Sequence, residues 1–398
     1  MRIVNRRLKQ ALSAAVVGVV FAAAALPAAA DTLRPDVGKP LSAAQDLYRA
    51  HKYKDALARI AQAAAVPNKT PYEIYMVEEM RGAALMADGD EALAAQAYQT
   101  LLGTGQLKGD DEQRVSETLA GIYFRQHDYA RAIATAQRYE KAGGRDPQMK
   151  ELLVQSYYLS NDCASVIGAL KPAIDAQVRA NHAPDESQLQ LLSTCAQRSK
   201  DDATYRTALE ALVAYHPRQA YWDNLFSAIR AKPGFSPKLD VDVYRLRRAN
   251  GAFGSVDDYM EMTQLSLVAG TPAEAKQIID QGFASGVLGK DAQAEREKCL
   301  QALAAKRAQA GSDGENPVAP VDQGFNLVFA GHAKDGLAMM ESAIAKGGLD
   351  HPDQAQLHLG IAYYVAGQKP RAIQAFRVVK GTDGSADLGR LWTLMASK

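Results

Sequence analysis

Cysteine is scarce in this sequence: three among 398 residues, with only two tryptophans and 7% aromatic residues in all. Three cysteines cannot supply the framework of bridges that holds small secreted domains together. The seven histidines form no H-E-x-x-H, and no C-x2-C pair exists, so a zinc site lacks its ligand pattern. There is no G-x-S-x-G to present a nucleophile, and none of the glycine-rich loops that cradle phosphates. No metal or other cofactor is expected. Basic and acidic residues balance at 46 and 45, which excludes the basic footprint of a nucleic-acid binder. Beyond the N-terminus no apolar run approaches the length of a membrane span.

What the chain has instead is 47% hydrophobic residues, rich in alanine and leucine and interleaved with Gln, Glu, Lys and Arg. Runs of β-branched residues are few, so the composition leans helical. The first residues follow a different logic. Arg2, Arg6, Arg7 and Lys9 precede an apolar run from Ala11 to Leu26, and Pro27 with Ala28, Ala29 and Ala30 supplies small residues before Asp31. A charged start, a short apolar stretch and a small-residue ending describe a signal peptide better than a membrane anchor. The expectation is a Sec-type signal over 1–30, a mature protein in the periplasm, and no stable membrane insertion after cleavage. Loss of that segment removes four basic groups and leaves the charge slightly negative.

The segment "LGIAYYVAGQKPRAIQAF" (359–376) places Leu359, Gly360, Tyr363, Ala372 and Phe376 at the spacing L-G-x2-Y…A-x3-F. Earlier segments share it. Leu119, Ala120 and Tyr123 lead to Tyr129 and Ala132; Leu153, Val154 and Tyr157 lead to Val166 and Leu170; Gly82 and Leu85 lead to Ala94 and Tyr98. Leu47, Tyr53, Ala56 and Ile60 begin the series, and Leu191, Cys195 and Ala208 carry a weaker copy. This pattern resembles the tetratricopeptide repeat family. The resemblance implies an all-α, right-handed superhelical solenoid of antiparallel helix pairs, because one pair cannot bury its own apolar face and must stack on neighbours.

Punctuation divides the chain further. "RAKPGFSPK" (230–238) reads as a loop, and "LDVDVYRLRRANGA" as a helix with Val241, Val243, Tyr244 and Leu246 near one face. Thr271-Pro272-Ala273-Glu274 reads as a capping box. The expected organisation is repeats over 31–230, diverged helical repeats over 231–307, a linker at 308–320, and repeats with a capping helix over 321–398. Gly324, Leu327, Gly331 and Met340 mark the first pair of that last block.

In such repeats the first helix of each pair lines the groove, and the resemblance implies ligand contacts from its outward residues. These are Met76, Glu79, Met80 and Met86; then Arg114, Glu117, Phe124 and Arg125; then Gln148, Gln155 and Tyr158. Packing between repeats is the competing reading for Met80, Met86 and Phe124. The carboxylate clamp of chaperone-adaptor members is not expected, since Glu117, Thr118 and Gly121 stand where Lys and Asn would be needed. The same phase puts Cys163 and Cys195 toward one end of the stack and leads to the expectation of a disulfide between them, against the alternative of buried thiols.

The expected function is a non-enzymatic scaffold for an envelope protein or peptide. "YWDNLFSAI", "LVAGTPAEAKQIIDQGFASGVL" and "GGLDHP…LGIAYYVAG" are similar to periplasmic repeat proteins that accompany TonB–ExbB systems, which implies a TonB-system partner. The alternatives are an adaptor in envelope assembly, secretion or polysaccharide export, and a murein-cleaving enzyme built on a solenoid. The last lacks room for a catalytic domain, because repeats run nearly to the C-terminus.

Overall fold

A computed structural model describes residues 32–290, 292–310 and 319–397. The signal peptide expected at 1–30 lies outside the described residues, as does the middle of the expected 308–320 linker. The described residues form 20 α-helices and no strand. They fall into two compact units, one ending at Leu170 and one running from Lys171 to Lys398.

The first unit contains α1 (Pro35–Arg49), α2 (Tyr53–Ala64), α3 (Pro71–Asp88), α4 (Glu91–Gly103), α5 (Asp110–Arg125), α6 (Tyr129–Lys141), α7 (Pro147–Leu159) and the start of α8 (Cys163–Arg179). These pair as antiparallel hairpins, and the sequence dictates each turn in the same way. A left-handed residue ends the first helix: His51, Gly89, His127 or Asn161, with φ of 58°, 90°, 61° and 67°. That conformation lets the next amide reach back to the last turn, as Asp90 N does to Leu85 O and Asp128 N to Tyr123 O, both at 2.9 Å. In three of these turns the following residue is an aspartate that caps the second helix. Asp90 accepts from Leu93 N at 3.0 Å, Asp128 from Arg131 N at 3.1 Å and Asp162 from Ser165 N at 3.0 Å. His51 and His127 also meet the hydroxyls of Tyr53 and Tyr129 at 2.8 and 2.9 Å.

Small residues set the depth of packing between the paired helices. Ala44, Gly82 and Ala120 are buried at equivalent positions of α1, α3 and α5. The core then fills with Leu101, Leu119, Ile122 and Leu152, each 2% exposed or less. Tyr123 packs with its ring under the Arg131 guanidinium at 4.7 Å and its hydroxyl on Gln99.

The second unit takes the rest of α8, then α9 (Glu186–Arg198), α10 (Asp202–Tyr215), α11 (Gln219–Arg230), a 3-10 turn (Pro237–Leu239) and α12 (Asp240–Ala249). It continues with α13 (Val256–Val268), α14 (Pro272–Ala284), α15 (Ala294–Ala310), α16 (Pro320–Phe329), α17 (Ala333–Lys346), α18 (Pro352–Val365), α19 (Lys369–Arg377) and α20 (Ser385–Ala396). Tyr363 repeats the arrangement of Tyr123, with Arg371 over its ring at 4.3 Å and Glu341 on its hydroxyl at 2.7 Å. The ring lying across Gly360 is Phe376 rather than Tyr363.

In the second unit, α20 returns to dock on the loop at 230–238. Ser236 N donates to Asp383 O at 2.8 Å, Lys232 pairs with Asp387 at 2.7 Å, and Arg390 pairs with Glu210 at 2.9 Å. The capping helix therefore seals two surfaces at once. On the repeat side, Trp392 stacks on Phe376 at 5.5 Å and meets Tyr364 edge-on at 5.2 Å. Its indole N–H is buried with no acceptor among the described residues. Trp222 stacks on Phe226 within α11. The weak copy in α9 sits one residue later than its sequence suggests: Leu192, Ser193 and Ala196 are buried, Leu191 is half-buried, and the turn falls at Lys200. Of the 308–320 stretch, 308–310 continue α15 and Pro320 opens α16.

Cys163 is buried in the first unit and Cys195 in the second, and Cys299 is exposed.

Candidate functional site

The face of the first unit formed by α3, α5 and α7 carries polar and aromatic side chains that the core has not absorbed. Its entry is fixed by Thr70, whose hydroxyl accepts from Glu73 N at 3.1 Å while the Glu73 carboxylate accepts from Thr70 N at 2.9 Å. Arg34 grips that same carboxylate with two hydrogen bonds of 2.9 Å. The Arg34 hydrogen bonds, then that from the Thr70 amide, hold the Glu73 carboxyl down at about 2 although the side chain is wholly buried. A lowered carboxyl contributes stability above the usual carboxylate range and loses it as the pH falls toward its folded value. Glu73→Gln is therefore expected to melt below wild type at pH 7, with the gap closing between pH 4 and pH 2; circular dichroism melts across that range check it.

Along the face, Glu79 of α3 meets Arg114 of α5 at 3.4 Å, and Arg114 also holds Asp111 at 2.9 Å. Tyr75 hydrogen-bonds Glu79, and burial together with these carboxylates pushes its phenol upward. Tyr72 stacks beside Tyr75 at 6.2 Å. Gln155 donates to Glu151 at 3.0 Å on α7, where Tyr158 is half-buried. Glu117 is half-buried, and that burial, with Asp146 nearby, raises its carboxyl.

Several predicted groove residues have other duties. Met76 belongs to the core at 8% exposure, and Met80 packs against the same cluster. Met86 and Phe124 pack against the neighbouring cluster, with Phe124 edge-on to Tyr129 at 5.8 Å. Arg125 turns to Glu91 of α4, a second helix, at 2.9 Å. Gln148 is exposed at the start of α7. Glu79, Arg114, Glu117, Gln155 and Tyr158 remain on the face. The sequence reading missed Tyr72 and Tyr75, whose spacing of three on one helix was the available signal.

A second polar cluster lies inside the second unit. Arg245 of α12 binds Glu274 through Nε and Nη2 at 2.9 and 2.6 Å and Asp242 through Nη1 at 2.7 Å. All three side chains are 3% exposed or less. His358 of α18 reaches Asp242 at 3.2 Å, and Phe325 of α16 lies under both the Arg245 guanidinium and the His358 ring. Burial alone would lower the Arg245 value, but Glu274 and Asp242 outweigh it and raise it. Burial likewise opposes the Asp242 charge, and His358 with Arg245 overcomes it and lowers its value. This cluster corrects the expected capping box at 271–274. Pro272 does open α14, yet the Thr271 hydroxyl turns to Ser266 O at 3.0 Å and makes no cap, while Glu274 serves Arg245. His351 and His358 go to different partners, Lys238 and Asp242. Arg245, Asp242, Glu274 and His358 thus pair with one another within the second unit.

Stacked hairpins with a common turn and a common small-residue contact define an α-helical repeat protein. The family profile described as tetratricopeptide repeat matches residues 41–112 and 321–387. Among solved structures, the chain is similar to one titled as Naa15/Naa10 bound to HypK-THB, at 13% identity and a TM-score of 0.32. That alignment covers 89% of this chain and 58% of the other, so the chain spans little more than half of it. The P58(IPK) TPR domain aligns at 12% identity over 91% of this chain and 97% of that one, with a TM-score of 0.24. Yeast Tom70 aligns at 12% identity over 91% and 94%, with a TM-score of 0.26. No curated protein matches the sequence.

Proposed function

We propose that this protein is an exported, non-enzymatic adaptor that holds a segment of another protein along the α3–α5–α7 face. Tetratricopeptide repeats serve as protein-interaction scaffolds, and one observation carries the reading to this face. Tyr75, Glu79, Arg114, Glu117 and Tyr158 are half-buried along the first helices of successive hairpins. Isolated charges among aromatics suit a peptide segment better than a small apolar ligand. Export rests on the charged, apolar and small-residue order of residues 1–30, and a TonB-system partner rests on the likeness of the three C-terminal segments.

Photo-crosslinking in cells tests the proposal. A benzoyl-phenylalanine at Gln155 is expected to trap an envelope protein, and in the sharper form a TonB-system component, from the periplasmic fraction. The same probe at Gln96, exposed on the second helix α4, is expected to trap about tenfold less, because the contact is confined to one face. Equal yields from both positions, or protein retained in the cytoplasm, would overturn it.

A further inference from the structure

Repeat register allows the residues of the face to be compared position by position. Glu79, Glu117 and Glu151 each lie ten residues before the left-handed turn residue of their hairpin, Gly89, His127 and Asn161 respectively. They are one position repeated on three successive first helices. The position three residues earlier is Met76, Arg114 and Gln148 in the same three helices. Each glutamate therefore faces whatever the next first helix brings at that earlier position.

For Glu79 the next helix brings Arg114, and an ion pair forms at 3.4 Å. For Glu117 it brings Gln148, which carries no charge. Among the described residues the charge that bears on Glu117 is that of Asp146, of like sign, and Glu117 makes no hydrogen bond or ion pair. Glu151 is exposed and receives Gln155. Glu117 is thus the one member of the row that is both half-buried and without a compensating charge. Tyr75 on α3 and Tyr158 on α7 are half-buried.

We infer that the partner segment presents a cationic side chain, lysine or arginine, to Glu117, taking the place that Arg114 takes beside Glu79. This rests on the proposed use of the face and specifies the chemistry of what it holds. The charge of a lysine or arginine supplies what Gln148 does not. In the unliganded protein the carboxylate sits in surroundings that disfavour its charge, a cost that a bound cation removes.

A cellulose array of randomised nonapeptides, probed with the purified full-length protein, tests this. Spots bound by wild type are expected to be enriched in Lys and Arg about fivefold or more, on the scale of one half-buried charge pair. Glu117→Gln is expected to keep its fold, melt at or slightly above the wild-type temperature, and lose the basic preference. Glu117→Lys is expected to reverse the preference toward Asp and Glu. Glu91→Gln, which alters the carboxylate held by Arg125 on α4, is expected to leave the preference unchanged. An unaltered basic preference in Glu117→Gln, or wild-type binding with no basic preference, overturns the inference while leaving the proposed face intact. Failure of wild type to bind any spot overturns the face as well.

Discussion

Arg245→Met is expected to destabilise the second unit by about 3–5 kcal/mol, the cost of leaving buried ionic partners uncompensated. The guanidinium makes its hydrogen bonds to Glu274 and Asp242 at 2.6–2.9 Å with almost no solvent at any of the three groups. A methionine fills much of the space above Phe325 but offers neither carboxylate a proton donor. The variant should show its largest deficit at neutral pH and a smaller one in acid, where Asp242 takes up a proton and no longer demands a cation. Urea unfolding followed by far-ultraviolet circular dichroism at pH 7 and pH 4 measures both points. A deficit independent of pH would mean that lost packing outweighs the charges. Replacing Arg245, Asp242 and Glu274 together by apolar residues should recover most of the loss, since an ion cluster contributes little net stability relative to a packed core.

Gly336→Ala is expected to cost about 3 kcal/mol, near the upper end of overpacking effects. A Cβ at Gly336 would stand 2.4 Å from the Gly324 carbonyl oxygen, 2.9 Å from Val328 Cγ2 and 3.0 Å from Val328 N. Two of those three atoms are backbone, so no rotamer change makes room, and α16 and α17 must separate. The crossing is reciprocal: a Cβ at Gly324 would meet the Gly336 oxygen at 2.6 Å. Gly168→Ala is the internal comparison. It is also helical, a Cβ there meets nothing within 4 Å, and alanine's better helix propensity should make it neutral or stabilising by about 0.5–1 kcal/mol. Comparable losses at 336 and 168 would show that the crossing relaxes easily.

The hairpins were legible in the sequence because their determinants are local. Gly82, Ala120 and Gly360 sit where helices must approach, and Gly-Asp, His-Asp and Asn-Asp pairs write the turn and the cap side by side. What the sequence concealed depends on partners far along the chain. Asp242 and Arg245 lie within a helix whose apolar members were recognised, but their partners Glu274 and His358 are 29 and 116 residues away. Thr70-Pro71-Tyr72-Glu73 and Thr271-Pro272-Ala273-Glu274 show the same limit. Their local patterns match, and only the first is a capping box, because Thr271 and Glu274 are engaged by Ser266 and Arg245. On the candidate face, repeat phase located Glu79, Arg114, Glu117, Gln155 and Tyr158. It could not tell that Met76 is core or that Arg125 turns away to Glu91, since phase gives direction and neighbours decide contact.

The positions of Trp222 and Trp392 have a spectroscopic consequence. They are the chain's two indoles, and both belong to the second unit. Emission excited at 295 nm (roughly the red edge where tyrosine no longer absorbs) therefore watches that unit alone. Ellipticity averages over every helix. If the units melt separately, the two signals will part company on heating, and no label is needed to see which one goes first.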